Sequence, residues 1–369
     1  MKRVYFDHSA TTPVDSEVAK LVLEYMTDKF GNPSSIHSFG REVRKSVEEA
    51  RDKVAALIGA QAKEVFFTSG GTEADNWALK GIAAANRKKG NHIITSSIEH
   101  HAILHTCEYL EKQGFNVTYL PVDENARVNV EDVKKAITDQ TILISVMFAN
   151  NEVGTIQPIK EIGKIAKEKG IYFHTDAVQA VGHYPIDVNE YNIDLLTLAG
   201  HKFYGPKGVG ALYIRRGVKI TSFQQGGAQE RTMRAGTENV PGIVGLGKAA
   251  EIARLNMEKE IAHVRALKDK LIKGITEKIP DIKLNGHPEL RMPGNVNFSF
   301  LYVEGESLLL NLDLKGIAAS SGSACTSGSL DPSHVLLSMG LTHEVAHGSL
   351  RLSLGRGNTE EEIDYCLEV

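Results

Sequence analysis

The chain has 369 residues, of which 42% are hydrophobic and 24% charged, and its 42 basic and 46 acidic residues give a net charge of −4. This length exceeds the usual size of one domain and predicts a large and a small lobe. The mildly acidic charge disfavours a nucleic acid or an anionic membrane as the main partner, and no apolar run approaches the roughly 18 residues that span a bilayer.

Short apolar runs alternate with helical patterns through the first two thirds of the chain. In chain order they predict strand 64–68, helix 73–88, strand 92–95, helix 101–113, strand 116–120, helix 130–137, strand 141–148, helix 159–169 and strands 171–174 and 194–198. Strands that alternate with helices of this length form βαβ units. The sequence therefore predicts an α/β fold with a mainly parallel sheet covered by helices on both faces.

The pattern changes from about residue 249, where a long amphipathic helix, 249–279, with a break near Asn256 or later, leads to strand 295–300. We predict a large domain over residues 12–255, and a smaller α+β domain made of residues 1–11 and 256–369. No Pro- or Gly-rich linker separates them, so they should pack tightly. Because open α/β sheets bind ligands at the carboxyl ends of their strands, the residues that follow strands are the site candidates.

The first two of these strand ends carry a glycine-rich turn and a histidine. The turn at 68–73, Thr-Ser-Gly-Gly-Thr-Glu, opens a helix whose N–H groups could bind a phosphate, although a plain turn with a threonine cap explains it equally well. His100 could stack on a planar cofactor and transfer protons near pH 7. A zinc site would use His100, His101, His105 and Cys107. It is disfavoured because adjacent histidines diverge on a helix and no carboxylate completes a known motif.

Two later strand ends carry a carboxylate and an amine. Asp176 could hold a protonated ring nitrogen, or it could simply cap a helix. Lys202 ends an apolar strand beside His201, and a cationic histidine there would disfavour the ammonium form and make the amine a better nucleophile. A phosphate turn, a histidine, an aspartate and a lysine at successive strand ends are together far more specific than any one of them.

A cysteine near the C-terminus lies among small polar residues. The segment 320–329, Ser-Ser-Gly-Ser-Ala-Cys-Thr-Ser-Gly-Ser, gives Cys325 no apolar neighbours that would bury it, which indicates reactivity rather than packing. Cys107 and Cys366 lie in helical patterns and should be structural. The three cysteines lack disulfide or metal spacing, and an acidic residue at position 7 comes too early for a signal peptide. We expect a reduced, cytoplasmic setting.

These segments together resemble the cysteine desulfurases, the NifS/IscS-like family of class-V aminotransferases among the fold type I pyridoxal-phosphate enzymes. The similarity runs nearly from end to end. It is carried by YFDHSATTP at 5–13, FGNPSS at 30–35, ANNEVG at 149–154, RAGT at 234–237, EGES at 304–307 and, most specifically, SSGSACTS at 320–327. The last segment is similar to the class with the longer cysteine loop. The resemblance implies a seven-stranded-type sheet in the large domain and a homodimer.

The resemblance also implies a pyridoxal 5'-phosphate site. Lys202 would form the Schiff base with the cofactor aldehyde, Asp176 would pair with the pyridinium nitrogen and Gln179 would bond the ring hydroxyl. His100 would stack on the ring, and Thr237 would reach the phosphate from the second subunit. The implied cofactor-binding residues are Gly71, Thr72, His100, Asn151, Asp176, Gln179, His201, Lys202 and Thr237. No metal is expected.

The implied reaction removes sulfur from L-cysteine and leaves L-alanine and a persulfide. The implied catalytic residues are Lys202, Cys325 and His100. Asn151 and Arg351 match positions that hold the substrate carboxylate, with help from Asn32, and a planar guanidinium suits this task because it meets a carboxylate with two hydrogen bonds. The sulfur would pass to an acceptor protein, an iron–sulfur scaffold or a sulfur carrier.

The sequence departs from the commonest family pattern at two cofactor positions. Gly71 replaces the usual alanine, and Ala199 stands where many members have a serine that binds the phosphate. A hydrogen bond to a charged group is worth about 1.5–3 kcal/mol, so we expect weaker cofactor retention with activity preserved. Family members also continue the helix near residue 362 for several turns beyond Val369.

Two other classes of function compete with this interpretation. One is a different reaction on the same fold, such as an aminotransferase, a selenocysteine lyase or a kynureninase-like lyase. The other is a scaffold protein that kept the fold but lost catalysis, which the presence of Lys202, Asp176, His100 and Cys325 disfavours. A plain NAD-binding module is disfavoured because no Gly-x-Gly-x-x-Gly follows the first strand.

Overall fold

The computed structural model describes residues 3–321 and 332–369, so Cys325 lies outside the described residues. The first elements are β1 (Val4–Tyr5), α1 (Ser16–Thr27), α2 (Ser38–Leu57), β2 (Val65–Thr68), α3 (Gly71–Asn86), β3 (His92–Ser96), α4 (His101–Lys112), β4 (Asn116–Leu120), α5 (Val130–Ala136), β5 (Thr141–Ser145), α6 (Ile159–Lys169), β6 (Tyr172–Asp176), β7 (Leu195–Ala199) and β8 (Gly210–Ile214). The later elements are α7 (Val240–Lys278), β9 (Ile282–Leu284), β10 (Asn295–Phe300), α8 (Gly305–Leu314), β11 (Ile317–Ala318), α9 (His334–Ser338), α10 (His343–His347), β12 (Ser349–Ser353) and α11 (Glu360–Glu368).

Seven strands form the central sheet in the order β2-β8-β7-β6-β5-β3-β4. Strand β8 is antiparallel to both neighbours, and the other adjacent strands are parallel. Every residue of β5 and β7 is buried, as expected for parallel strands that are covered on both faces. The predicted α/β fold with a mainly parallel sheet is confirmed.

Helices cover both faces of this sheet. Residues of α2, α6 and the first part of α7 pack into one apolar cluster that includes Val54, Ile162 and Phe173. Residues of α3 and α4 pack into a second cluster around Trp77 and Ile103, both fully buried. Among the described residues, no helix is both long and apolar enough to cross a membrane.

A smaller α+β unit follows the large sheet. It contains the antiparallel sheet β12-β10-β9 and a parallel pair formed by β1 and β11, so the N-terminal segment contributes a strand. A third apolar cluster joins Phe6, Leu271, Phe298 and Leu352. The domain bounds at residues 11 and 255 remain a prediction.

Helix α7 connects the two units without interruption, so the predicted break near Asn256 is wrong. The helix runs from Val240 to Lys278. The Asn256 side chain donates a hydrogen bond to the Ile252 carbonyl one turn earlier, at 3.0 Å, and therefore does not end the helix. The helix thus passes from the core of the large sheet to the core of the smaller unit.

Strand β5 is shorter than predicted, but its backbone pairing continues. The N–H groups of Val146 and Phe148 donate to the carbonyls of His174 and Asp176 at 3.2 and 2.8 Å. These two hydrogen bonds hold residues 146–148 alongside β6 after the end of strand β5. It places residues 147–151 beside the carboxyl end of β6.

Candidate active site

A cavity of about 290 Å³ lies at the carboxyl ends of β3, β5, β6 and β7. Most of the predicted site residues line it, namely Gly71, Thr72, His100, Asn151, Asp176, Gln179, His201, Lys202 and Arg351. Residues from four strand ends, the start of a helix and β12 therefore meet in one place. This is the position at which an open α/β sheet binds its ligand.

Lys202 ends the short 3₁₀ turn Gly200–Lys202 that follows β7. Its ammonium donates to the carbonyls of Ser9 and Ala10, at 2.5 and 2.9 Å. The same N-terminal segment is tied to the turn by Thr12, whose hydroxyl donates to the His201 carbonyl at 3.0 Å. The first residues of the chain thus form one wall of the cavity and hold the lysine.

His201 does not act on Lys202 as expected from the sequence. Burial, and then the charges of Lys202 and Lys207, lower the pKa of His201 to about 4. The histidine is therefore neutral at pH 7, and the expectation of a cationic His201 is wrong. Its Nδ1 lies 3.1 Å from the Thr11 hydroxyl, which orients the ring.

Asp176 is the last residue of β6, and its carboxylate is buried in the floor of the cavity. Its Oδ1 accepts a hydrogen bond from the Val178 N–H at 2.9 Å. Burial raises the pKa of Asp176 to about 6, against the opposing effects of the Val178 N–H and the charge of Lys202. Beside it, Gln179 donates to the Ser9 carbonyl at 3.0 Å.

The N-terminus of α3 lies at one end of the cavity, where Gly71 and Thr72 line it. Gly70 precedes the helix with φ +154°, a conformation that favours glycine. The N–H groups of the first turn lack intrahelical partners and favour negative charge. At Gly71 a methyl group would come within 2.9 Å of Val178 Cγ2, so glycine suits this neighbour better than the usual alanine. Lys207, which sequence analysis did not select, lines an adjoining pocket with Thr72.

His100 caps the N-terminus of α4, where its Nδ1 accepts a hydrogen bond from the Ala102 N–H at 3.1 Å. Burial, and then the charge of Lys202, lower the pKa of His100 to about 4. A neutral ring that accepts at Nδ1 carries its proton on Nε2. His100 therefore offers the cavity a neutral, planar face and one N–H donor.

Arg351 lies on β12 with its side chain almost fully buried. Its Nη2 donates to the Asp7 carboxylate at 2.8 Å, and its Nη1 donates to the Asn151 carbonyl at 3.1 Å. Its Nε has no hydrogen-bond partner among residues 3–321 and 332–369. A buried donor without a partner in a ligand cavity suits an anionic ligand. Sequence analysis missed Asp7, although it lies within the 5–13 motif.

The histidines near His100 do not converge on a metal position. The rings of His101 and His105 stack with their centroids 5.0 Å apart, and no group of three His, Cys, Asp or Glu in the described part of the chain could hold a metal ion. Cys107 is fully buried, and burial raises the pKa of its thiol; burial also raises the pKa of Cys366, to about 11.

Comparison with known proteins identifies the family. Residues 4–366 match the family described as aminotransferase class-V. The chain belongs to this family. It is 64% identical over 370 residues to cysteine desulfurase IscS of Clostridium botulinum, a match that covers 100% of this chain and 93% of that protein. It also superposes on a solved NifS-like protein with a TM-score of 0.94 and 41% identity, over 100% of this chain and 98% of that one. A structure titled SspA in complex with cysteine gives a TM-score of 0.85 and 36% identity, over 96% and 100% of the two chains.

Two predicted site residues of this class-V aminotransferase lie away from the cavity lining. Asn32 is exposed, and its side chain accepts a hydrogen bond from the Ser34 N–H at 2.9 Å. Thr237 is exposed in the loop that follows β8. The same loop is tied to the start of α3 by Arg234, which meets the Glu73 carboxylate with two hydrogen bonds of 2.8 and 3.0 Å.

Proposed function

We propose that this class-V aminotransferase is a pyridoxal 5'-phosphate-dependent cysteine desulfurase. It removes sulfur from L-cysteine, leaves L-alanine and carries the sulfur on Cys325. One observation carries the proposal: a single cavity brings together the amine of Lys202, the buried carboxylate of Asp176 and the guanidinium of Arg351. The high identity to cysteine desulfurase IscS supports the choice of substrate.

The donor set of the cavity fits pyridoxal 5'-phosphate. The helix start at Thr72 suits its phosphate, the Asp176 carboxylate suits its ring nitrogen and the Lys202 amine suits its aldehyde. Asp75 Oδ1 and Arg351 Nε are buried without hydrogen-bond partners in the described part of the chain, and buried polar atoms of this kind call for a ligand. When bound, the cofactor supplies an electron sink for the reacting carbon of the substrate.

The residues of the chain have separate roles in substrate binding and in proton transfer. Arg351 binds the substrate carboxylate, and Asp7 keeps the guanidinium in place. Lys202 Nζ accepts the α-proton of the substrate and returns it later. The ionised Asp176 would keep a proton on the ring nitrogen of the bound cofactor. The neutral His100 would stack on the ring of the bound cofactor, and its Nε2–H would donate a hydrogen bond toward the substrate.

Cys325 completes the reaction as a thiolate. It attacks the substrate sulfur, so a new S–S bond forms while the C–S bond breaks, and a proton added to the former Cβ gives alanine. A described residue close to this segment in sequence supports a role in this cavity: Ser320 forms an antiparallel bridge with Arg351, through hydrogen bonds of 3.1 and 2.6 Å. The persulfide would then pass to an iron–sulfur scaffold or a sulfur carrier.

The protein is proposed to act as a cytoplasmic homodimer in which Thr237 binds the phosphate of the partner's cofactor. A stretch of large apolar side chains supports an interface, because monomers seldom expose such patches. These side chains, with their exposed fractions, are Leu23 (60%), Met26 (64%), Phe30 (67%), Ile36 (90%) and Phe39 (55%). The exposed position of Thr237, outside the lining of its own cavity, is compatible with contact across the dimer.

The test is to add L-cysteine to the cofactor-loaded protein without reductant. Mass spectrometry should find one additional sulfur atom on the peptide that contains Cys325, and alanine should form. A Cys325→Ser variant should bind the cofactor but form neither product, and Cys366→Ser is the matched control that should form both. If Cys325→Ser makes alanine at the wild-type rate, the desulfurase assignment is wrong and another reaction of the family must be sought.

A further inference from the structure

Tyr204, two residues after Lys202, has a strained backbone. Its φ is +65°, in the left-handed region that a bulky side chain seldom adopts, and its side chain is buried. Such a conformation costs free energy and persists only where the surrounding contacts hold it, and residues of this kind are concentrated at functional sites. The contacts of Tyr204 therefore indicate what the strained conformation maintains.

The backbone of Tyr204 bonds to the N-terminal segment of the chain. Its N–H donates to the Thr12 hydroxyl at 2.8 Å, and its carbonyl accepts from the Asp15 N–H at 3.0 Å. The Thr12 hydroxyl in turn donates to the His201 carbonyl at 3.0 Å. The turn that carries Lys202 is therefore fastened to the N-terminal segment both before and after the lysine.

The side chain of Tyr204 bonds to the loop between β12 and α11. Its hydroxyl oxygen accepts a hydrogen bond from the Arg356 N–H at 2.8 Å, and the guanidinium carbon of Arg356 lies 3.9 Å from the centroid of the ring, where a cation is attracted to the aromatic face. The same guanidinium forms ion pairs with Asp15 and, at 3.3 Å, with Glu260 of α7. Because this loop joins two elements of the smaller unit, Tyr204 connects that unit to the lysine turn.

Gly355 permits this contact because it has no side chain. A methyl group at Gly355 would come within 2.5 Å of both the Tyr204 hydroxyl oxygen and His8 Nδ1, which is closer than real Cβ atoms approach other atoms. The phenol, the imidazole or the loop would have to move. At Gly357, two residues later, a methyl group would meet no heavy atom of the described residues within 4 Å, apart from its chain neighbours.

We infer that Tyr204 is a positioning residue for Lys202. Through its strained backbone and its phenol, Tyr204 holds the N-terminal segment against the lysine turn, so that the Ser9 and Ala10 carbonyls meet Lys202 Nζ at 2.5 and 2.9 Å. The inference rests on the proposed function, since it concerns the same lysine. Its consequence is that a contact of the smaller unit, at Gly355, sets how firmly the amine is held.

Acetylation of the cofactor-free protein with an N-hydroxysuccinimide ester tests the inference without the reaction. Mass spectrometry gives the labelling rate of Lys202 relative to that of Lys160, whose side chain is 62% exposed. This ratio should rise at least about threefold in Gly355→Ala, because displacement of a carbonyl removes about one hydrogen bond from the amine. Gly357→Ala is the matched control and should leave the ratio unchanged. An unchanged ratio in Gly355→Ala, or equal increases in the two glycine variants, would overturn the inference.

Tyr204→Phe separates positioning from a purely structural role. It keeps the ring and removes only the oxygen that accepts from the Arg356 N–H, so the labelling ratio should again rise about threefold. In the double variant with Gly355→Ala the increase should be smaller than the product of the two single increases, because the added methyl group no longer meets the phenol oxygen. A purely structural residue would lower the stability to urea without changing the ratio. If Gly355→Ala fails to fold, an unchanged ratio in folded Tyr204→Phe is by itself enough to reject the inference.

Titration of the cofactor-free protein with pyridoxal 5'-phosphate, followed by visible absorbance, adds a second readout. Gly355→Ala should raise the dissociation constant at least about threefold, while Gly357→Ala should leave it unchanged. An unchanged constant in Gly355→Ala would mean that holding the amine does not serve the cofactor and would count against the inference. The labelling experiment needs neither cofactor nor a persulfide on Cys325, so its result stands apart from the outcome for the proposed function.

Discussion

Among the charged contacts of the large unit, the buried ion pair between Arg51 and Glu230 should be the one whose disruption lowers stability most. Arg51 Nη1 and Nη2 meet the two Glu230 oxygens at 2.7 and 2.8 Å, and the Phe67 N–H donates to the same carboxylate at 2.9 Å. Both charged side chains are 3% exposed. We predict that Glu230→Gln destabilises the protein by about 3 kcal/mol or more, because it removes the buried counter-charge of the guanidinium and leaves it with the largely exposed Glu48 carboxylate at 3.3 Å.

An exposed pair of the same length provides the control. Lys160 and Glu190 are 2.6 Å apart, but their side chains are 62% and 57% exposed. Solvent screens such a pair, so Glu190→Gln should have little measurable effect on stability. Urea unfolding of both variants, followed by circular dichroism, compares the loss in free energy of unfolding for the same substitution, Glu to Gln, at a buried and an exposed site. Equal losses in the two variants would refute the reasoning that burial, rather than contact distance, sets the cost.

Three further predictions concern the cavity. Ala199→Ser should tighten cofactor binding by about tenfold or more, since a hydrogen bond to a charged group is worth about 1.5 kcal/mol at least; retention during dialysis measures this, and unchanged retention contradicts it. Asp7→Asn should raise the KM for L-cysteine more than it lowers kcat, because the Arg351 guanidinium loses a partner at 2.8 Å; an effect on kcat alone would count against this. Cofactor affinity should fall as the pH drops below about 6, where Asp176 in the free protein becomes protonated; titrations across this range should show no such step in Asp176→Asn.

The fold and much of the cavity could be predicted from the sequence because both follow local patterns. Continuous apolar runs such as that of β7 predict strands that are buried on both faces. The carboxyl ends of parallel strands meet at one sheet edge, so Asp176 and Lys202, far apart in the chain, could be placed in one site.

The remaining site residues depend on packing that no local pattern reveals. Asp75 lies in a helical segment, where an aspartate usually faces solvent; it is buried only because α3 packs against β6 and β7. Asp7 gains its role from Arg351, which is 344 residues away. Lys207 lies within the Gly/Pro-rich loop before β8, and the path of this loop beside the start of α3 depends on tertiary contacts. Asn256 is an error of the opposite kind. Asparagine is typical of helix ends and so predicted a break, but here its side chain forms a hydrogen bond within a continuous helix.

The N-terminal wall of the cavity has a consequence for the order of folding during synthesis. Val4 pairs with Ile317, and Phe6 accepts a hydrogen bond from the Ser353 N–H, so these contacts cannot form before residues 317–353 have been synthesised. Contacts of such sequence separation form late because they close a very long loop. The wall of the pocket beside the lysine amine is therefore completed after the large sheet, whose last strand ends at Ile214.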